Sequence, residues 1–324
     1  MSWSVRVGLF SAVAVLAASC STTTSTTEAT PPSTSTPAPQ ALSRAEAITW
    51  ARGIDPCALI ARDRLAALGT VNAVGTSASS TSCAAHVDDG TERGITVDWA
   101  IAFVPTDFQT SSAGTLENID GRQVRRTDVA AAFDPAVREQ MVESACTYDV
   151  AFENEIAVRM RLSMERDRDA CAAAGPVARA VIAAWPGQPR QGSSPDTTVT
   201  VVTDTAPCTV VPELQKSRQV RFDWKDQSLT SCFFTVDGTE ILLTFDHQRT
   251  ELVSTGADPT KFGKHSGYRK AYDGTTFAGA IIGEEFDGVF AGRVSRLVPA
   301  VDVNGDDSAV VSDVMTAVLN QLPI

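Results

Sequence analysis

The chain has 324 residues, with 39 Asp and Glu against 27 Lys and Arg, and a formal net charge of −12. A chain this acidic is poorly matched to the phosphates of nucleic acid and to an anionic lipid surface, so we expect neither nucleic-acid binding nor polybasic membrane docking. Its length is sufficient for one large domain or two of ordinary size.

The N-terminus has the pattern of a bacterial lipoprotein signal. Arg6 is the only charge before Cys20, and an apolar run over 7–18 follows it. Such a run is typical of a secretory signal and is shorter than the roughly 20 apolar residues that span a bilayer. The stretch 16–20 (Leu-Ala-Ala-Ser-Cys) resembles a lipobox, in which the cysteine carries two acyl chains. We therefore expect a signal peptide at 1–19 and a lipid, palmitate included, on Cys20; an ordinary signal peptide with an incidental cysteine is the alternative.

A polar segment separates this signal from the rest of the chain. Residues 21–43 are mostly Ser, Thr, Pro and Ala, with one charge at Glu28. The segment has no periodic aliphatic residues and cannot form a core, so we predict that 20–43 is the lipidated cysteine followed by a disordered tether. Extended at about 3.1 Å per residue, this tether reaches about 70 Å. The expected location is the extracytoplasmic face of the cell membrane, held there by the lipid anchor.

The first folded region begins with two helix signals. Residues 43–46 (Ser-Arg-Ala-Glu) have the spacing of a capping box. Asp55 and Pro56 suit the N-cap and first turn of a second helix, which we expect to continue to Gly69. Alternating apolar residues then predict strands, and an apolar-faced helix is expected to close the unit. The strands are placed at 94–104 and 156–162, and the helix at 175–185.

A second unit repeats this order. Asp-Pro-Cys at 55–57 and Ala-Pro-Cys at 206–208 open the two units, and a Ser-Cys step follows in each. The second unit has predicted strands and a closing helix of its own, with Asp306, Asp307 or Ser308 as the helix N-cap. Pro212 interrupts its opening helix, which we expect to be short or absent. The strands are placed at 240–245 and 289–294, and the helix at 308–322.

These patterns predict an α+β fold of two tandem domains, each an antiparallel sheet flanked by helices and stapled by disulfides. We place the first domain at 44–187 and the second at 199–324. The segment 188–198 between them is rich in Gly, Pro and Ser and is interpreted as a linker.

Six cysteines remain once Cys20 is set aside, and an even number in an exported chain indicates disulfides. Sequence order suggests one simple pairing among several, and each loop of this size is worth about 3 kcal/mol in the chain-entropy model. The suggested pairs are Cys57–Cys83, Cys146–Cys171 and Cys208–Cys232. Positions matching Cys146 and Cys171 in the second unit are expected near Ala278 and Val303, so the second unit lacks that pair.

The lipobox, the tether, the Asp55-Pro56-Cys57 helix start, the later Ser82-Cys83 and the Ala-rich helix after Cys171 together resemble the uncharacterised lipoproteins of mycobacteria and their relatives. These proteins are classed as a domain of unknown function, here present in two copies. The resemblance is good over 54–185. It implies an α+β domain with an antiparallel sheet, an envelope location and no mapped catalytic residue.

No catalytic signature is present in the chain. There is no nucleophile elbow, Walker loop, dinucleotide fingerprint or Cys-x-x-Cys pair. We therefore expect no enzyme activity, no cofactor and no metal. His86, His247 and His265 lack recognisable partners and are predicted to lie on the surface. A cleft that places His86 or His247 beside a carboxylate and a hydroxyl would instead favour a hydrolase acting on wall or lipid.

Several arginines form a candidate anion-binding patch, with a solvated sheet face paired to nearby glutamates as the alternative. They are Arg122, Arg125, Arg126, Arg159 and Arg161. The leading hypothesis is a non-enzymatic lipoprotein that binds or senses an envelope molecule; a protein-interaction or structural module of the envelope is the second. A concave pocket would favour the first hypothesis, and an exposed apolar patch the second.

Overall fold

The structure is a computed structural model that describes residues 41–323, so Cys20, the signal and most of the tether lie outside the described residues. Residues 41–324 form one compact unit. It contains two antiparallel sheets with flanking helices and two separate main cores. The predicted α+β fold of two tandem, disulfide-stapled domains is confirmed.

Seven α-helices are found over the described residues. They are α1 (Arg44–Arg52), α2 (Arg62–Ala66), α3 (Pro135–Arg138), α4 (Ala170–Ala184), α5 (Val201–Asp204), α6 (Val211–Leu214) and α7 (Ser308–Gln321). Between residues 41 and 323, no helix is long and apolar enough to cross a membrane.

The first sheet has seven strands. They are β1 (Thr70–Thr76), β2 (Ser82–Asp88), β3 (Ile95–Phe103), β4 (Thr115–Ile119), β5 (Arg122–Asp128), β6 (Glu143–Ala151) and β7 (Ile156–Glu165). Their spatial order is β1-β2-β3-β7-β6-β5-β4. Helix α4 packs on β6 and β7 and closes the core of this first domain, whereas the opposite, outer face of the sheet carries most of its polar side chains.

The second sheet has eight strands. They are β8 (Val220–Phe222), β9 (Ser231–Val236), β10 (Thr239–Arg249), β11 (Asp258–Phe262), β12 (His265–Tyr272), β13 (Thr275–Ile281), β14 (Phe286–Phe290) and β15 (Arg293–Gly305). The order is β11-β12-β13-β15-β10-β9-β8, with β14 paired to β15. Read from β8, this is the strand order of the first sheet with β14 added. Helix α7 packs on β13 and β15, as α4 does on β6 and β7.

The helix signals are partly confirmed. The capping box at the start of α1 is present, with Ser43 and Glu46 bonded reciprocally. Asp307 is the N-cap of α7 and accepts from two backbone N–H groups. Pro212 leaves only the short α6 in the second domain.

The continuous helix predicted from Asp55 to Gly69 is wrong. The chain forms a 3-10 turn at 57–59, extends at Ile60 and Ala61, and then forms α2. The Trp99 indole N–H donates to the Pro56 carbonyl at 2.6 Å. In a continuous helix that carbonyl would accept from the N–H four residues later, so a tertiary contact competes with the helix.

The single late strand predicted at 289–294 is also wrong, because this segment contains the end of β14, a tight turn at Ala291 and Gly292, and the start of β15. Ala291 and Gly292 both have positive φ, at 48° and 70°. Two such residues are typical of the tight turn that joins antiparallel strands. The late strand of the second sheet is β15, which is longer and lies further along the chain.

The disulfides follow sequence order. The sulfur pairs are Cys57–Cys83, Cys146–Cys171 and Cys208–Cys232. The sheet register shows that the positions expected to match Cys146 and Cys171 in the second domain were wrong. When the two sheets are aligned at Cys83 and Cys232, Gly305 corresponds to Leu162. Cys146 pairs with Leu162 and Thr276 pairs with Gly305, so Thr276 is the counterpart of Cys146. The helix N-caps Asp169 and Asp307 then match Cys171 with Ala309, so neither Ala278 nor Val303 occupies a matching position.

The segment predicted as a linker is fixed to the first domain. Asp55 is fully buried, and its carboxylate accepts from the Ser194 N–H at 2.8 Å and the Thr197 hydroxyl at 2.6 Å. Asp196 pairs with Arg62 at 2.5 Å. The Thr198 N–H also donates to the Thr76 hydroxyl at 2.8 Å, so the chain that enters the second domain is held against β1.

Candidate functional site

The hairpin of β14 and the start of β15 lies on the outer face of the first sheet. The Val289 side chain packs on Gly75, at 3.3 Å from the position a Cβ would occupy. A Cβ at Gly292 would overlap the Thr96 hydroxyl of β3, and its φ of 70° disfavours other residues. Glycines at these positions therefore allow the second domain to approach the first sheet closely.

Arg52, at the end of α1, also joins the two domains. Its buried guanidinium donates to four carbonyls of the second domain. The acceptors are Leu229 O at 2.6 Å, Val202 O at 2.7 Å, Thr205 O at 2.9 Å and Thr203 O at 3.1 Å. Burial lowers the pKa of Arg52 to about 10, partly offset by Asp204, so the group remains charged near neutral pH.

His247 is also part of this contact, which corrects the expectation of a surface histidine. It is buried, with Nδ1 3.0 Å from Ser77 O and Nε2 3.0 Å from the Thr200 hydroxyl. Burial lowers its pKa to about 4, against a smaller opposing effect of the Ser77 carbonyl, so the ring is neutral near pH 7. Phe286 of the hairpin packs edge-on against it. His247 therefore stabilises the position of the hairpin.

A pocket of about 430 Å³ lies where the hairpin tip meets the first sheet. Thr96 and Ser163 are directly opposite each other on β3 and β7 and form part of its floor. Glu143, at the start of β6, lies beside them. The volume is within the range of small-molecule sites, which is about 300–1,000 Å³.

One wall of the pocket is the loop between β2 and β3. Asp89 and Thr91 bond to each other in this loop, and the Thr91 hydroxyl accepts from the Gly94 N–H at 3.1 Å. Gly94 has a φ of 66°, and a Cβ there would be 2.7 Å from His86 Nε2. This tight packing presents Glu92 and Arg93 to the pocket. The opposite wall is the hairpin tip at 291–293.

The pocket contains charged groups of both signs. Arg93 is on one wall and Arg293 on the other, and neither forms an ion pair within 4.0 Å among the described residues. Glu143 on the floor pairs with Arg161 at 3.3 Å. The two arginines therefore lie on opposing walls with their charge available to a ligand.

Asp98 lies next to this floor, opposite Arg161 in the sheet register. Burial raises the pKa of Asp98; Arg161 opposes this shift and Glu143 adds to it. A carboxyl with a raised pKa near a pocket is a feature that functional sites often share with structural ion-pair networks.

His86 lies in the pocket, as the hydrolase hypothesis requires of a catalytic base. The pocket holds this histidine together with Glu143 and the hydroxyls of Thr96 and Ser163. However, His86 Nε2 lies 3.2 Å from the Arg93 carbonyl, and no hydroxyl of residues 41–323 hydrogen-bonds to its ring. The pocket thus has the residue types of a base-catalysed site without a base that contacts a nucleophile. His265 lies on β12, far along the second sheet.

The candidate anion-binding arginines do not converge on one surface. Arg122 and Arg126 share the core-facing side of β5 with Val124, whereas Arg125 points to the outer face. Arg122 pairs with Glu153 at 3.3 Å and Arg126 with Glu117 at 3.5 Å.

The other three arginines face outward but already have partners. Arg125 is buried and donates to backbone carbonyls, among them Phe108 O at 2.7 Å. Arg159 pairs with Asp149 at 2.7 Å, and Arg161 pairs with Glu143. Anion binding by these five arginines remains a prediction.

Sequence reasoning missed Arg52, Arg93 and Arg293. Arg52 is a basic residue in the last turn of a helix, which is an ordinary capping position. Arg93 and Arg293 are in turns that lie far apart in sequence, and no local pattern links them. Among the described residues, no group of three His, Cys, Asp or Glu side chains is arranged to hold a metal ion.

Comparison with known proteins gives a family and little else. The profile of a family described as "Protein of unknown function (DUF3558)" matches residues 15–184. No curated protein matches the chain. Among solved structures, the chain is similar to the di-domain ARO/CYC BexL from the BE-7585A biosynthetic pathway, at 12% identity over 74% of this chain and 83% of that chain. The TM-score is 0.13, so this likeness bears on neither fold nor function.

Proposed function

The chain belongs to the DUF3558 family of unknown function, and on that premise we propose that it is a membrane-anchored, extracytoplasmic binding lipoprotein. It captures a small polar envelope molecule with an anionic group in the pocket between its domains. The ligand-binding residues are Arg93 and Arg293, with hydroxyls of the floor as further partners.

The observation that carries this proposal is how the pocket is formed. The two sheets share a strand order apart from β14. This one additional strand extends β15 as a hairpin onto the first sheet, and its tip provides a wall of the pocket. Glycine at position 292 then allows the tip to contact β3. The cavity at the tip is lined mainly by polar and charged side chains, which suits a polar ligand.

The anchor and the origin of the chain are parts of the same proposal. The lipobox pattern at Cys20 supports lipidation, and two acyl chains suffice for stable membrane attachment. The shared strand order supports duplication of one ancestral domain. The motif resemblance to mycobacterial lipoproteins supports an actinobacterial source. Replacement of Cys20 with Ser should release the protein into the medium; continued membrane partitioning would contradict the anchor.

Native mass spectrometry of protein purified from its own envelope tests the pocket. We expect one stoichiometric small molecule on the wild-type chain. The affinity of the Arg93→Gln/Arg293→Gln variant for this molecule should fall by at least about tenfold, because each charge-assisted contact is worth about 1.5–3 kcal/mol. The control Arg64→Gln/Arg138→Gln makes the same charge change at exposed positions and should retain the ligand.

Two other outcomes would redirect the proposal. A ligand that both double variants retain would place the binding site elsewhere. A released molecule that is chemically changed on incubation with the wild type, but not with His86→Gln, would favour the hydrolase hypothesis, which rests on the pocket's histidine, carboxylate and hydroxyl groups. The second candidate, a protein-interaction module, is favoured by an apolar surface on the second sheet.

A further inference from the structure

The outer face of the second sheet carries a row of exposed apolar side chains, called here the apolar stripe. Its members are Phe233, Leu242, Phe277 and Ile281, which are 39%, 39%, 38% and 46% exposed. Phe233 lies opposite Leu242, and both Leu242 and Phe277 lie opposite Asn304. The stripe therefore has members on β9, β10 and β13, with the polar Asn304 of β15 between Leu242 and Phe277. Several exposed apolar side chains gathered on one face of a folded protein are typical of an interaction surface.

A pair of carboxyl groups lies on the same face, next to the stripe. The Gln248 amide donates to Asp246 at 3.2 Å and also to Asp302, and the Tyr268 hydroxyl donates to Asp302 at 3.1 Å. A Cβ at Gly279 would overlap the ring of Tyr268, so glycine there lets the tyrosine lie across the sheet to reach Asp302. Asp246 and Asp302 are called here the acid pair.

The acid pair has no compensating positive charge in the described chain. Burial is the main cause that raises the pKa of each carboxyl, and no lysine or arginine opposes it. Asn304, between Leu242 and Phe277, adds a buried Oδ1 with no hydrogen-bond partner among residues 41–323. A buried acceptor without a donor destabilises the folded state, and so do buried carboxylates without a positive charge beside them. The face thus combines exposed apolar area with an unmet need for cationic donors.

We infer that this outer face docks a partner protein through a segment that presents lysine or arginine between apolar side chains. The apolar residues of the segment cover the stripe, and its ammonium or guanidinium groups donate to the acid pair and to Asn304. Such charge complementarity at the edge of an apolar contact gives a complex its orientation and specificity. The surface is separate from the pocket, so this inference does not depend on the proposed ligand.

Other occupants fit the same face less well. A second copy of this chain would bring two acid pairs together, and like charges that meet at an interface oppose association. An anionic lipid headgroup would be repelled by the carboxylates. Burial raises the pKa of Asp246 to about 7, and the neighbouring Asp302 adds to this shift. Tyr268 is the other titratable group that faces the acid pair. A cationic segment would stabilise the ionised form of Asp246. Docking should therefore strengthen as the pH rises through about 7.

A labelled peptide of alternating leucine and lysine tests the inference, with fluorescence anisotropy as the measurement. We expect binding at pH 8 that weakens by about tenfold or more in Asp246→Asn/Asp302→Asn, since close charge pairs at interfaces couple by about 1.5 kcal/mol or more. The control Asp63→Asn/Asp107→Asn has the same net charge change at exposed positions and should bind like the wild type.

The outcomes separate specific docking from general attraction to an acidic protein. Equal binding by the two double variants would mean non-specific charge attraction and would overturn the inference, as would no binding to the wild type at millimolar peptide. A leucine–glutamate peptide that bound equally well would also overturn it. Phe277→Ser should weaken binding without changing net charge. Concentration-dependent dimers that Leu242→Ser abolishes, or binding to anionic vesicles, would assign the face to a second copy or to a membrane.

Discussion

The outer faces of the two sheets differ at positions that correspond in register. Aligned at Cys83 and Cys232, each sheet has a row that crosses three neighbouring strands. The row of the first sheet is Asp98, Arg161 and Thr147, and the matching row of the second is Leu242, Asn304 and Phe277. The first row is charged and polar and lies beside the hairpin and its pocket. The second is largely apolar and open.

This difference shows that the shared strand order does not determine what each domain contacts. Both sheets bury their inner faces under a C-terminal helix, and those positions are apolar in both. The outer face is free of that constraint, so its composition reflects the neighbour it meets. In the first domain that neighbour is the β14–β15 hairpin, and in the second domain we propose that it is another protein.

The largest expected effect tests whether the two domains depend on each other. Arg52→Met keeps the length of the side chain but leaves four carbonyls of the second domain without their donor. We expect a loss of at least about 3 kcal/mol in the free energy of unfolding, because each buried carbonyl left without a donor costs about 1–3 kcal/mol. Chemical denaturation followed by tryptophan fluorescence measures it. Arg64→Met, at an exposed position, is the control; equal stability of the two variants would mean that the domains fold independently.

The next effect compares the disulfide bonds. The second domain has the single bond Cys208–Cys232 within the described residues, whereas the first has two. Cys208→Ala/Cys232→Ala should lower the stability of the second domain by about 3 kcal/mol, because the unfolded chain gains loop entropy. Trp224 reports on the second domain, and Trp99 and Trp185 on the first. A simultaneous loss of all three signals at one midpoint would show that the domains unfold as a unit.

The pH dependence of stability is expected to separate the acid pair from the domain contact. The raised pKa of Asp246 gives stability that is complete below about pH 4 and is lost as the pH rises through about 7. The stability of Asp246→Asn relative to the wild type should therefore increase as the pH rises from 4 to 7.

His247 is the matched comparison, with the opposite sign. Its lowered pKa gives stability that is complete above about pH 6.5 and is lost as the pH falls through about 4. The stability of His247→Gln relative to the wild type should therefore increase as the pH falls over that range. Thermal unfolding at pH 4, 5, 6 and 7 measures both variants. Parallel pH profiles of wild type and Asp246→Asn would contradict the raised pKa.

The smallest effect concerns the charged row of the first sheet. Arg161 is exposed and pairs with Glu143 at 3.3 Å. An exposed ion pair of this kind is worth about 0–1 kcal/mol, so Arg161→Gln should change stability by less than about 1 kcal/mol. A loss above about 2 kcal/mol would show that the charged row is a structural element and would remove the contrast with the apolar stripe.

The elements that depend on local pattern could be predicted from the order of the residues. The capping box at the start of α1, the Asp307 cap and the alternating core of β3 follow from residue types at fixed short spacing. Chain order also sufficed for the disulfides, because each pair closes a loop of about 25 residues between a turn or helix and a neighbouring strand.

Contacts between side chains that are distant in sequence could not be predicted, because they depend on how the whole chain packs. The Trp99 indole N–H donates to the Pro56 carbonyl, which the predicted helix would have used for its own hydrogen bond. The buried Asp55 carboxylate binds the segment that was expected to be a linker. The pocket places Arg93 and Arg293 on opposing walls across 200 residues of sequence. No local pattern encodes such a contact, because it depends on a hairpin of one domain reaching the outer face of the other. The same reason explains why His247, expected at the surface, is buried.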